Sequence, residues 1–133
     1  MPPKSPLRVM IVDDHHGVRV ALALTVKTAA DLILVGEARD GQESVALCAQ
    51  CHPDVIVMDL VMPYMGGVTA IEQIHQQYPA IRIIAVSGFG SEAMLHKACQ
   101  AGAAAYLTKD CAAADLLAAI RAVHSDPAGA HSD

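Results

Sequence analysis

The stretch Val55-Ile56-Val57-Met58-Asp59-Leu60-Val61-Met62-Pro63 decides the fold. Its apolar run shows no polar alternation, which is the pattern of a parallel strand covered on both faces. Asp59 then leaves the sheet at its carboxyl edge, where open α/β sheets keep their ligand sites. The construction recurs along the chain. Val9-Met10-Ile11-Val12 runs into Asp13-Asp14, Ile83-Ile84-Ala85-Val86 into Ser87, and Ala105-Tyr106-Leu107-Thr108 into Lys109. As parallel neighbours, these strands would gather three carboxylates, a hydroxyl and an ammonium on one rim.

Helical segments fill the gaps between them. Val18, Ala21, Leu22, Thr25, Val26 and Ala29 fall at helical spacing after Asp14, which is placed to cap that helix. A short strand, Leu32 to Gly36, ends at Glu37 and suits a sheet edge. Asp40-Gly41 turns into a helix whose buried side is expected from Val45, Ala46, Leu47 and Ala49. Gly66-Gly67 opens a helix bearing Val68, Ala70, Ile71 and Ile74, closed at Tyr78-Pro79. Gly88-Phe89-Gly90-Ser91 reads as a flexible loop into a helix from Glu92 to Gln100 that Gly102 ends. The last strand is expected to end at Lys109, and Ala112 to His124 to form the last helix. Strands alternating with helices, joined by right-handed crossovers, give a doubly wound α/β fold with a five-stranded parallel sheet of order 2-1-3-4-5. That order puts its switch point between the first and third strands, with Asp13, Asp14 and Asp59 facing each other.

At 133 residues the chain has room for one folded domain. The expected division is an N-terminal arm at 1–6, the domain at 7–124 and a linker stub at 125–133, whose composition is polar and small. Hydrophobic residues make up 53%, but in short runs, so no membrane crossing and no secretory leader are expected. The expectation is therefore a cytoplasmic protein, in which four cysteines need not pair. A net charge of −5 argues against this chain holding nucleic acid by itself.

Crowded carboxylates repel one another unless a cation lies between them or a proton is taken up. Magnesium, a hard ion that wants oxygen ligands, suits Asp13, Asp14 and Asp59. The plainer reading makes Asp13-Asp14 helix caps, Lys109 a solvated strand end and Ser87 a turn residue. Their joint placement at successive strand ends favours a phosphoryl-transfer site, with Asp59 as the nucleophile, Lys109 neutralising and Ser87 donating to the phosphoryl oxygens.

Taken together, Val12-Asp13-Asp14-His15, Asp40-Gly41, Val57 through Gly67, Val86-Ser87-Gly88 and Ala105 through Lys109 resemble the receiver domain of two-component response regulators. The resemblance covers Leu7 to His124. It implies a flavodoxin-like (βα)5 three-layer sandwich. It also implies Asp59 as phosphoacceptor from a sensor histidine kinase, with Mg2+ held by Asp13, Asp14, Asp59 and the Val61 carbonyl. Ser87 and Lys109 would contact the phosphoryl group, and Tyr106 would be the aromatic switch. Asp-Asp-His and the run Gly36 to Gly41 look most like receivers that precede a LuxR-type helix-turn-helix. Such a chain would control a DNA-binding output domain, phosphorylation acting by changing self-association or by freeing that domain; a stand-alone receiver that docks to other proteins is the alternative. Gly66 departs from the family, which usually has Asp or Asn there, so the next helix loses a side-chain cap.

Two enzyme-like readings are weaker. A phosphatase of the haloacid dehalogenase type resembles Asp-x-Asp, but its second carboxylate would fall on Val61. A flavin phosphate would be repelled by Asp13-Asp14. The chain is thus expected to be a stoichiometric phosphoacceptor with slow autodephosphorylation. Cys48-Ala49-Gln50-Cys51-His52 has zinc-like spacing but no second cysteine pair, and packing explains Cys48 better.

Overall fold

The computed structural model describes residues 5–62, 64–88 and 92–125. Strands β1 (Leu7–Val12), β2 (Leu32–Ala38), β3 (Val55–Asp59), β4 (Arg82–Ser87) and β5 (Ala105–Thr108) alternate with helices α1 (His16–Lys27), α2 (Gly41–Cys51), α3 (Gly67–Gln77), α4 (Glu92–Ala101) and α5 (Ala113–Ser125). The sheet order is β2-β1-β3-β4-β5 with every pairing parallel. This is the doubly wound arrangement expected from the sequence.

Successive strand residues point to opposite faces, and that alternation sorts the core into two layers. Met10, Val12, Ile56, Met58, Ile83 and Ala85 pack toward Cys48 of α2, Ala70, Ile71 and Ile74 of α3, and Ala98 of α4. Val9, Ile11, Val55, Val57, Ile84 and Val86 pack toward Val26 of α1 and Leu116, Ile120 and Val123 of α5. Every residue of β3 is buried, as a strand with helices on both faces requires. Burying each Val, Ile, Leu or Met side chain of these layers stabilises the fold by roughly 1.5–3 kcal/mol.

The opposite edge of the sheet is cross-linked by polar groups. The Arg8 and Asp54 main chains pair, with the Asp54 N–H 2.7 Å from the Arg8 carbonyl, and Asp54 Oδ2 accepts from the Arg8 N–H at 2.9 Å. The Arg82 N–H donates to the Asp54 carbonyl. The Arg8 guanidinium donates to the carbonyls of Cys51 and His52 at the end of α2, where a cation complements the helix dipole. Asp40 caps the start of α2 by accepting from the Glu43 N–H at 2.8 Å.

Helix faces depart from the sequence reading. In α1, Val26 is buried and Val18, Leu22 and Thr25 are partly buried as expected, but Ala21 is exposed and Ala23 is buried instead. In α2, Ala46 and Ala49 are exposed, and Gly41, Ser44 and Cys48 are buried in their place. Alanine is compatible with either face, so alanine-rich helices leave their orientation open. His15, not Asp14, is the N-cap of α1, and it makes no side-chain cap bond. The last strand stops at Thr108, one residue before Lys109. Gly66 is the N-cap of α3 without a side-chain bond, as its identity dictates.

Two glycines are required where they stand. A Cβ on Gly67 would lie 2.2 Å from the Asp59 carbonyl oxygen, so only glycine lets α3 start directly under β3. Gly102, at φ +126°, ends α4 with its N–H on the Ala98 and Cys99 carbonyls, against the His75 ring. The expected arm and linker stub fall mainly on residues 1–4 and 126–133, and the expected flexible loop on 89–91, outside the described residues.

Candidate functional site

The carboxyl ends of β1, β3, β4 and β5 converge on one rim, and the polar residues leaving them form one cluster. Asp13 and Asp59 are each 1% exposed, whereas Asp14 beside them is open to solvent. One carboxylate oxygen from each of Asp13, Asp14 and Asp59 lies within 4.8 Å of the others. Lys109 reaches in from the end of β5, its Nζ 3.0 Å from Asp13 Oδ2 and 3.3 Å from Asp59 Oδ2. Three carboxylates face one ammonium, so the rim stays negative.

Each buried carboxylate is anchored through one oxygen. Asp13 Oδ1 accepts from the His15 N–H at 2.8 Å, and Asp59 Oδ1 from the Val61 N–H at 3.1 Å. The two Oδ2 atoms are buried, and among the described residues the Lys109 ammonium is the partner they share. Two buried carboxylates sharing one ammonium leave net negative charge out of water, which costs free energy unless another positive centre joins them. Hard oxygen donors held on one side and open to water on the other suit magnesium, which keeps part of its hydration shell. The donor set therefore fits the ion.

Burial raises the Asp59 carboxyl to about 6. The Val61 N–H opposes that rise, Asp13 adds to it by repulsion, and Lys109 draws it back. Lys109 is itself raised: burial works against its charge, but contacts with Asp13 and Asp59 outweigh it.

The remaining expected residues take these places. Ser87 is buried at the end of β4, in register with Thr108, and its carbonyl accepts from the Lys109 N–H at 3.0 Å. Tyr106 lies on β5, 46% exposed. Val61, implied as a ligand through its carbonyl, meets Asp59 through its N–H. Cys48 is buried, and its thiol is pushed up to about 11 by burial and by neighbouring Cys51, which suits a packed thiol.

Sequence reasoning passed over Arg19. It lies at i, i+4 and i+7 spacing with the buried Ala23 and Val26, so a cation faces the interior and needs partners. It finds them in the Asp13 carbonyl and Glu37.

The response regulator receiver domain family matches residues 9–121 of the chain. The transcriptional regulatory protein LiaR of Bacillus subtilis is 40% identical over 116 residues, covering 87% of this chain and 55% of that protein. The chain thus spans about half the length of the curated relatives it matches. A LuxR-family two-component response regulator from Aurantimonas sp. SI85-9A1 superposes with a TM-score of 0.86 at 36% identity, over 91% of this chain and 86% of that one. The response regulator domain of Thermotoga maritima CheB gives 0.84 at 34% identity, over 92% and 99%.

Proposed function

The chain belongs to the response regulator receiver domain family, and from that premise we propose that it is a phosphorylation-controlled switch with Asp59 as its phosphoacceptor. The observation that carries this reading is the pair of buried Oδ2 atoms of Asp13 and Asp59 that share the single ammonium of Lys109. Asp13, Asp14 and Asp59 would hold magnesium, with the Val61 carbonyl as the backbone ligand. The bound ion supplies charge neutralisation for the phosphoryl oxygens.

The chain's own groups do the rest. The Val61 N–H fixes one Asp59 oxygen, leaving Oδ2 to attack phosphorus in line. An oxygen–phosphorus bond forms as the phosphorus–nitrogen bond of a phosphohistidine donor breaks, and the donor imidazole leaves. Lys109 moves its ammonium from the carboxylates toward the transferred group, and the Ser87 hydroxyl donates a hydrogen bond to another phosphoryl oxygen. Ser87 shifting in this way vacates space into which half-exposed Tyr106 turns, biasing a two-state surface made by α4, β5 and α5.

Val61 leaves no second carboxylate for acid–base work at that position, which supports a stoichiometric acceptor over a turnover phosphatase. A sensor histidine kinase is the proposed donor in the cytoplasm, and self-association the proposed response. The name of LiaR, a transcriptional regulatory protein, supports a DNA-binding output in the part of such proteins beyond the receiver. Among the described residues no helix is long and apolar enough to cross a membrane.

Incubation with acetyl phosphate and magnesium, followed by intact-mass spectrometry, tests the assignment. One phosphoryl addition is expected, absent with EDTA and absent in Asp59→Ala. Equal labelling of Asp59→Ala would overturn it.

A further inference from the structure

We propose that Arg19 is the positioning residue of the acidic turn: by gripping the Asp13 carbonyl it aims Asp14 at the magnesium site. The proposal rests on the receiver reading above. Asp13 is the residue at which the sheet gives out. Its N–H still bonds the Ala38 carbonyl of β2 at 3.0 Å, but the pairing of β1 with β2 ends at Val12 and Ala38, so no β2 N–H follows to meet the Asp13 carbonyl on that side. The next carbonyl therefore needs a donor from elsewhere, and Arg19 Nη1 supplies it at 3.0 Å.

That bond fixes more than one residue. The Asp13 carbonyl and the Asp14 N–H share one planar peptide, so holding the first sets the direction in which the second leaves. Asp13 has its own side-chain anchor in the His15 N–H. Asp14 is exposed, and among the described residues its carboxylate has no hydrogen bond or ion pair, so its aim comes from the backbone alone.

Arg19 is in turn held rigidly. Its side chain is 11% exposed, its Nε lies 3.4 Å from Glu37 Oε1 on the edge strand, and Nη2 meets His16 Nδ1 at 3.1 Å. A guanidinium only donates, so His16 accepts through Nδ1. The planar fork thus spans the β1–α1 turn, the end of β2 and the first turn of α1 at once. A lysine ammonium is a point charge and cannot reach in three directions.

Charge and position predict opposite signs, and that separates them. Removing a cation beside an acidic pocket should tighten magnesium by Coulomb attraction alone. Loss of positioning should weaken it. Residues that orient metal ligands typically change affinity by about 10–100-fold when removed.

The experiment follows amide shifts around Asp13 while magnesium chloride is added to wild type, Arg19→Ala and Arg19→Lys. The half-saturating concentration should rise about tenfold or more in Arg19→Ala, and Arg19→Lys should recover only part of the loss. Phosphorylation by acetyl phosphate should show the same displacement along the magnesium axis and recover when magnesium is raised. A rate depressed equally at every magnesium concentration would mean general damage and overturn the proposal. Equal or tighter binding by Arg19→Ala would also overturn it. If circular dichroism shows Arg19→Ala unfolded, Arg19→Lys decides: weaker binding supports positioning, and wild-type affinity refutes it. A wild-type protein that neither binds magnesium nor accepts phosphate would instead sink the receiver reading.

Discussion

Asp59 is at once the nucleophile of the proposed chemistry and a standing cost to the fold. Its carboxyl sits at about 6, against an ordinary value of 3.8, because burial disfavours its charge. The folded state therefore binds a proton more tightly than the unfolded state between those values, and stability falls as pH rises through that window. In metal-free protein, the urea midpoint of wild type relative to Asp59→Asn should be higher at pH 5 than at pH 7. A wild-type advantage that grows with pH would contradict the burial argument. At this scale the sequence was informative: Asp13, Asp59, Ser87 and Lys109 could be read as one rim because each directly ends or follows an apolar strand. Arg19 could not, because nothing in the chain names the carbonyl it bonds; its place on the buried stripe of α1 was the available signal.

Among the elements, α3 begins with two adjacent glycines whose environments differ. Gly66 has extended backbone at φ −69° and ψ 166°, and among the described residues a Cβ added there would meet nothing closer than the Leu60 carbonyl oxygen at 3.7 Å, so a side chain fits. Gly66→Asn should add a cap and reduce unfolded-state freedom, gaining about 0.5–1 kcal/mol. Gly67→Ala should lose about 3 kcal/mol or more, since its methyl group would collide with the Asp59 and Leu60 backbone. Denaturant titration of both variants checks the pair, and the prediction fails if both shift the same way. Strand identity and order were legible because an unbroken apolar run has one comfortable place in a parallel sheet. Helix orientation was not, since Ala21, Ala46 and Ala49 satisfy the pattern equally well exposed.

For the molecule as a whole, charge bears on partners. A net −5 gives a DNA duplex little to bind, so these 133 residues should produce no gel shift with a promoter duplex even at low salt, whereas a chain carrying a basic helix-turn-helix should. Tight, salt-sensitive binding by the 133 residues alone would refute this. The Arg8–Asp54 cross-links bear on motion. They tie β1, β3, β4 and the end of α2 at the edge of the sheet farthest from Asp59. A sheet fastened there resembles a hand fan pinned at its handle: the ribs stay paired out to Asp59 and Ser87, and the loops that bear the acidic residues begin only beyond that margin. On the proposed chemistry, a phosphoryl group on Asp59 would act on the loops and helix starts around that margin, with the pinned end as the fixed reference for any partner that reads the change.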